Sequence, residues 1–173
     1  MGAKRFSLAS RLREANRFGL FAALLVFLSL LLPWYTLYLS FLAADQAVKL
    51  DIFVWGATGP YGTVMWIELA SQTGLVEWLI TFALPGPVLL GGTLSLIGAF
   101  RRVKWISAFG GILTLLEAAV SYFVISWIIK RGLWAGTAGS IVINPDSGFF
   151  VALISGTISI VSVLFQQAKK VDM

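Results

Sequence analysis

The sequence predicts an all-α membrane protein, in which a four-helix transmembrane bundle carries a small extracellular β-hairpin or three-stranded β layer. Three observations predict this class. Hydrophobic residues make up 58% of the 173-residue chain, charged residues only 12%, and the mean hydropathy is +0.88. A soluble domain has about 25% charged residues, so this chain has too little charge to coat a water-facing surface. The apolar residues also form four long blocks, and part of the first outward-facing segment between them alternates as a strand does.

The four apolar blocks predict four spanning helices within a single domain, residues 1–173. A helix needs about 20 apolar residues to cross about 30 Å of hydrocarbon, and each block meets that length. Tryptophan and tyrosine prefer the headgroup level, so the first helix is expected to leave the hydrocarbon near Tyr38. The predicted helices cover residues 18–42, 78–100, 105–129 and 147–168.

The distribution of lysine and arginine predicts the orientation. Most of these residues lie before the first block, in the short 101–104 turn and in the C-terminal tail. Basic residues close to span ends stay in the cytoplasm, so both termini are predicted to be cytoplasmic in a multi-pass protein of the plasma membrane. The net charge of +5 is therefore read as an orientation signal. Nucleic acid is not an expected partner, because no water-facing basic patch with base-reading side chains is evident.

The predicted outer loops, residues 45–77 and 130–146, contain the expected strands. Residues 48–55 alternate between apolar and more polar or aromatic side chains, and a glycine-rich turn separates them from a second β-rich run at 63–69. Residues 140–144 are a plausible third strand, and Asp146 or Ser147 is expected to cap the fourth helix. The aromatic residues of the first loop form the candidate interaction surface, namely Phe53, Trp55, Tyr61 and Trp66.

Glu117 is the sharpest candidate for function, because it lies at the middle of the third block. A charged carboxylate at the bilayer centre costs about 3 kcal/mol, so Glu117 is expected to face the protein interior. A spacing of three and four residues places small and hydroxyl residues on the same helix face. The predicted face is Ser107, Gly110, Thr114, Glu117 and Ser121, and the candidate partners at similar depth are Ser29, Thr93 and Thr157.

Two interpretations of Glu117 remain open from the sequence. In the first, a protonated carboxyl joins helices by hydrogen bonding and has only a structural role. In the second, Glu117 binds a proton or a cation, or donates a hydrogen bond to a quinone-like ligand.

The inventory of reactive residues argues against an enzyme. The chain has no cysteine and no histidine, which excludes disulfides, the usual zinc sites, haem ligation by histidine and histidine-based catalysis. No phosphate-binding glycine loop, nucleophile elbow or metal-spaced carboxylate cluster occurs. No cofactor or metal is therefore expected.

The expected function is non-enzymatic association in the lipid bilayer. The chain would be a subunit of a membrane complex or a self-assembling envelope- or adhesion-type protein, with a protein partner or a second copy of itself. The alternative is a small proton-coupled transporter or a quinone-binding membrane subunit that uses Glu117.

The order of the predicted elements resembles the claudin and peripheral-myelin-protein type of tetraspan family. Both ends lie inside, a long β-rich loop comes first, and a short inner turn and a shorter outer loop follow. That family carries a Gly-Leu-Trp and two cysteines in its first outer loop, whereas this loop has Trp55 and Trp66 without cysteine, and Gly-Leu-Trp occurs only at 132–134. The resemblance implies the topology alone, and a prokaryotic four-span protein is the alternative.

Overall fold

The protein has a mixed α/β fold, in which the described residues form four helices and a five-stranded antiparallel sheet. The computed structural model describes residues 16–41, 44–65, 84–131 and 138–168. In chain order the elements are α1 (Arg17–Ser29), β1 (Tyr35–Phe41), β2 (Ala44–Phe53), β3 (Gly56–Gly59), β4 (Gly62–Met65), α2 (Pro85–Arg101), α3 (Lys104–Arg131), β5 (Ala138–Pro145) and α4 (Ser147–Ala168).

The predicted all-α fold with four transmembrane helices is therefore wrong. Among the described residues, two helices are long and apolar enough to cross a membrane, over Lys104–Ser126 in α3 and Ser147–Leu164 in α4. Helix α1 has 13 residues, which cover about 20 Å at about 1.5 Å per residue. Helix α2 has 17 described residues and is also shorter than the hydrocarbon thickness.

The first apolar block divides between a helix and a strand because of Pro33. Proline lacks the N–H that continues a helix, and α1 ends in a turn in which Leu31 and Leu32 donate hydrogen bonds to residues three positions earlier. The chain then becomes extended, and Tyr35, Leu37 and Leu39 are buried on one face of β1. Absence of charge suggested one long helix, whereas alternation with period two was the signal for a strand.

The sheet has the strand order β4-β3-β2-β1-β5. Strands β2 and β5 are far apart in the sequence, but both pair with β1. The expected hairpin between residues 48–55 and 63–69 is wrong in its pairing, because β2 pairs with β3, which lies in the predicted turn, and β3 in turn pairs with β4. Residues 66–69 lie outside the described residues, and the expected third strand is present as β5. The expected layer had two or three strands, whereas the described sheet has five, and β5 pairs with β1 and not with β2, β3 or β4. Within the register, Leu37 lies between Leu50 and Ile143, which builds one continuous apolar face.

The helices pack in a ring, in which α1 and α3 each contact both α2 and α4. The sheet lies at the end of this ring where α1 and α3 finish and α2 and α4 begin. At the other end, the Asn16 N–H donates to the Ala99 carbonyl at 3.1 Å, next to the α2–α3 turn. Arg102 closes that turn in the left-handed conformation, with φ 54°.

Candidate functional site: a buried polar face around Glu117

The helices bury polar side chains and expose large apolar ones, which is the reverse of a soluble helical domain. The buried polar residues are Ser29, Ser95, Ser107, Thr114, Glu117, Ser121, Ser155, Ser159 and Ser162. The exposed residues include Phe18, Phe21, Leu24, Leu90, Trp105, Phe109, Leu116, Phe123, Phe150, Ile154 and Leu164. The helical part therefore presents apolar surface outward on all four helices.

Glu117 lies inside this ring of helices and is 5% exposed. The same face of α3 places Ser107, Thr114 and Ser121 in the interior as well. Thr114 donates a hydrogen bond to the Gly110 carbonyl at 3.0 Å, one turn back in its own helix. Glu117 Oε1, by contrast, has no hydrogen-bond partner among the described residues. A buried polar atom without a partner is unusual and marks a candidate ligand position.

The structure does not bring all three expected partners to Glu117. Ser29 is buried, but its hydroxyl donates to the Val26 carbonyl at 2.7 Å. Thr93 and Thr157 are exposed and donate to the carbonyls of Leu89 and Leu153, each four residues earlier. The expectation that these two threonines face Glu117 is wrong, because similar depth in the membrane does not fix the rotation of a helix. The inward positions of α2 and α4 are occupied instead by glycines and serines: Gly91, Gly92, Ser95, Ser155, Gly156 and Ser159.

Tyr35 is the residue of this site that sequence analysis missed. Its ring is fully buried, and its hydroxyl lies 2.7 Å from Ser121 Oγ, one turn from Glu117. Ser121 donates its own proton to the Ala118 carbonyl at 3.0 Å, so Tyr35 is the donor of the shared bond. This bond joins β1 to α3.

The surroundings of Tyr35 hold its phenol in the neutral form. Burial raises the pKa of Tyr35, and the hydrogen bond with Ser121 opposes that effect in part. The rings of Tyr122 and Phe149 lie at centroid distances of 6.1 and 5.7 Å from the Tyr35 ring. The alternation of residues 35–40 was the sequence signal that could have placed Tyr35 on the inner face of a strand.

A second polar network lies in the half of the helical ring that is remote from the sheet. Ser159 Oγ is 2.9 Å from Ser95 Oγ and donates to the Ser107 carbonyl at 2.9 Å, so three helices meet at one hydroxyl. Glycines permit this close approach. A Cβ built on Gly111 would lie 2.7 Å from the Gly156 carbonyl oxygen. The network explains the small-residue stripes as packing surfaces.

The expected aromatic interaction surface is only partly displayed. Phe53 and Trp55 are half-buried and stack with a centroid distance of 4.7 Å. The Trp55 indole donates to the Leu30 carbonyl at 2.9 Å, so this residue fastens the sheet to the end of α1. Tyr61, at the β3–β4 turn, is 95% exposed. Trp66 lies outside the described residues.

The opposite face of the sheet is polar. The Thr36 hydroxyl donates to Asp146 and lies 3.3 Å from a carboxylate oxygen of Asp51, which pairs with Lys49 at 3.1 Å. Asp146 also accepts the N–H of Ser147 at the start of α4. The hydrogen bond from Thr36, followed by that from the Ser147 backbone, lowers the pKa of Asp146. This arrangement fixes the junction between β1 and α4.

The chemical groups that the site offers are hydroxyl groups and the carboxyl group of Glu117. Among the placed residues, no group of three or more acidic, histidine or cysteine side chains could hold a metal ion. No protein-family model matches the chain, and no curated protein sequence matches it either.

Proposed function

We propose that the chain is an integral, multi-pass protein of the plasma membrane that works by association and has no catalytic activity of its own. The observation that carries this proposal is the reversed burial pattern of the helices. In the described helices, nine polar side chains are buried inside the ring, whereas phenylalanine, leucine and tryptophan side chains face outward. Water would penalise such an exterior, but hydrocarbon would not. The two long apolar helices, α3 and α4, provide crossings of sufficient length.

The first experiment tests membrane integration. Membranes from expressing cells are washed with alkaline carbonate, which removes peripheral proteins. We expect the chain to stay in the pellet and to be released only by detergent. Recovery in the carbonate supernatant would refute the membrane proposal.

The proposed orientation places the sheet outside the cell and the α2–α3 turn in the cytoplasm. Arg17, Arg101, Arg102 and Lys104 all lie at the end remote from the sheet, and basic residues near span ends favour the cytoplasm. Both ends of the described chain lie at that basic end. Because the chain has no cysteine, single substitutions give clean labelling sites. We expect an impermeant maleimide to label Tyr61→Cys but not Arg101→Cys in intact cells, and the reverse result would invert the topology.

The surface proposed for association is the exposed part of the β3–β4 hairpin. Tyr61 and Val64 are both exposed on this hairpin. Exposed apolar and aromatic side chains on one surface favour contact with a partner protein. The partner is a membrane complex or a second copy, as in a self-assembling envelope or adhesion protein.

A matched pair of variants tests this surface. Val64 on β4 and Val142 on β5 are 43% and 48% exposed, so the two sites are matched in exposure. We expect Val64→Lys to release the partner or the second copy, as measured by the mass of the particle in mild detergent. Val142→Lys should leave that mass unchanged. A wild-type particle that is a single monomer with nothing bound would refute the association proposal.

The second candidate function is a proton-coupled transporter or a quinone-binding subunit centred on Glu117. The observation that favours it is the buried Oε1 atom, which has no hydrogen-bond partner among the described residues. Glu117→Gln keeps the shape and the hydrogen-bonding capacity but abolishes titration. In proteoliposomes with an imposed pH gradient, we expect this variant to lose proton flux if the carboxyl carries protons. Unchanged flux in the variant would eliminate the transporter function.

A further inference from the structure

An apolar groove runs between α2 and α3 on the outer surface, close to the basic end of the helical ring. It has a volume of about 400 Å³, which falls within the range of about 300–1,000 Å³ that is usual for ligand pockets. The lining residues are Leu94, Trp105, Ile106, Ala108, Phe109 and Ile112. The groove therefore offers no polar side chain except the indole N–H of Trp105, and it suits a hydrocarbon chain.

The mouth of the groove is positively charged. Arg101, Arg102 and Lys104 form the turn that leads directly into Trp105, and Arg101 and Arg102 are exposed. The acidic side chains that the structure places, those of Asp51, Glu117 and Asp146, lie in the sheet, at the middle of α3 or at the start of α4. Among the described residues, no acidic side chain therefore offsets the charge of Arg101 or Lys104.

Trp105 marks the depth of the groove mouth. Its side chain is 85% exposed, although it adjoins the apolar lining of the groove. Tryptophan concentrates at the level of lipid headgroups, where its ring contacts hydrocarbon and its N–H contacts polar groups. Headgroup chemistry is thus expected next to the basic turn, with hydrocarbon below it in the groove.

We propose that this groove binds one anionic phospholipid. An acyl chain lies against Phe109 and Ile112, and the phosphate lies against Arg101 and Lys104. Each basic side chain near a membrane surface strengthens the binding of anionic lipid about fivefold. The apolar lining retains the acyl chain, and the charged mouth supplies the preference for an anionic headgroup. This inference rests on the membrane location proposed above.

Native mass spectrometry of the full chain in mild detergent tests the inference. Phosphatidylglycerol and phosphatidylcholine with identical acyl chains are added in equal amounts, and the ratio of bound species is measured. We expect the wild type to retain phosphatidylglycerol preferentially. Arg101→Gln and Lys104→Gln should each lower the ratio about fivefold. Lys49→Gln, at the sheet end, is the control and should leave the ratio unchanged.

Two further measurements separate the parts of the proposal. Ala108→Phe fills the groove, so it should reduce retention of both lipids without altering the charge. Glycerol phosphate in excess should not displace the lipid, because it lacks the acyl chain, and displacement would show a phosphate site only.

The outcomes distinguish this inference from the membrane proposal. A ratio that is insensitive to both charge variants, or equally sensitive to Lys49→Gln, overturns the lipid site and leaves the membrane location intact. A wild type that retains neither lipid and does not need detergent for solubility contradicts the membrane location itself. The charge variants change side chains outside the buried helical core, so the test does not depend on the folding of Ala108→Phe.

Discussion

Close approach of α2 and α3 at Gly110 leads to a quantitative prediction for Gly110→Ala. A Cβ atom built there would lie 2.5 Å from Ser95 Oγ and 2.6 Å from both the Gly91 carbonyl oxygen and the Ser95 amide nitrogen. Ordinary contacts of this kind begin at 3.4 Å. Two of the three obstructing atoms are backbone, so they cannot rotate away. The helices must separate by roughly 0.8 Å, the shortfall against a normal van der Waals contact.

Two effects of opposite sign set the expected change in the free energy of unfolding. Overpacking costs about 1–3 kcal/mol, whereas alanine stabilises a helix over glycine by about 1 kcal/mol. Because the obstruction is mostly backbone, the cost should lie at the upper end. We expect a net loss of about 2 kcal/mol. The matched control is Gly86→Ala, since a Cβ at Gly86 meets nothing within 4 Å. That variant should be neutral or slightly stabilised.

Reversible unfolding in mixed micelles of dodecyl maltoside and sodium dodecyl sulfate provides the assay. Tryptophan fluorescence reports the transition, and the two glycine variants are compared under identical conditions. The difference between them isolates packing from helix propensity. If Gly110→Ala were as stable as Gly86→Ala, α2 and α3 would not approach closely at Gly110 and the described packing would be refuted.

The same assay checks three further predictions. Tyr35→Phe and Ser121→Ala should each lower the free energy of unfolding by about 1 kcal/mol. Because the two hydroxyls share one buried hydrogen bond, a double-mutant cycle should give a coupling energy near that value. Strictly additive effects would contradict the bond. Asp146→Ala should cost about 1 kcal/mol at neutral pH, because α4 loses its capping carboxylate. The pKa of Asp146 is lowered in the folded state, so the stability that Asp146 contributes is present above the ordinary pKa of 3.8 and is lost as the pH falls below that value. The alanine variant should lack this acid-dependent loss of stability. Glu117→Leu should leave the free energy of unfolding unchanged or raise it, because it removes a buried oxygen without a partner among the described residues. A decrease of more than about 1 kcal/mol would show that Glu117 makes a stabilising bond.

Only part of the site followed from the sequence. Spacing alone placed Thr114, Glu117 and Ser121 on one helix face, because residues three and four apart are neighbours on any helix. Spacing could not orient α2 and α4, since the rotation of each helix depends on which residues let its neighbours approach. Gly91 and Gly156 provide that approach, so Thr93 and Thr157 turn outward.

Composition determined that apolar residues would dominate the surface as well as the interior, because so few charged residues are present. The local order of residues determined the bounds of α4, because its N-terminal cap and its uncharged apolar length are local features. Only the tertiary structure decided that residues 35–41 form a strand. That strand is held by β2 on one side and β5 on the other, and β5 lies about a hundred positions further along the chain. An apolar run favours a helix and a strand alike, and the choice between them depends on which distant backbone is available to complete its hydrogen bonds.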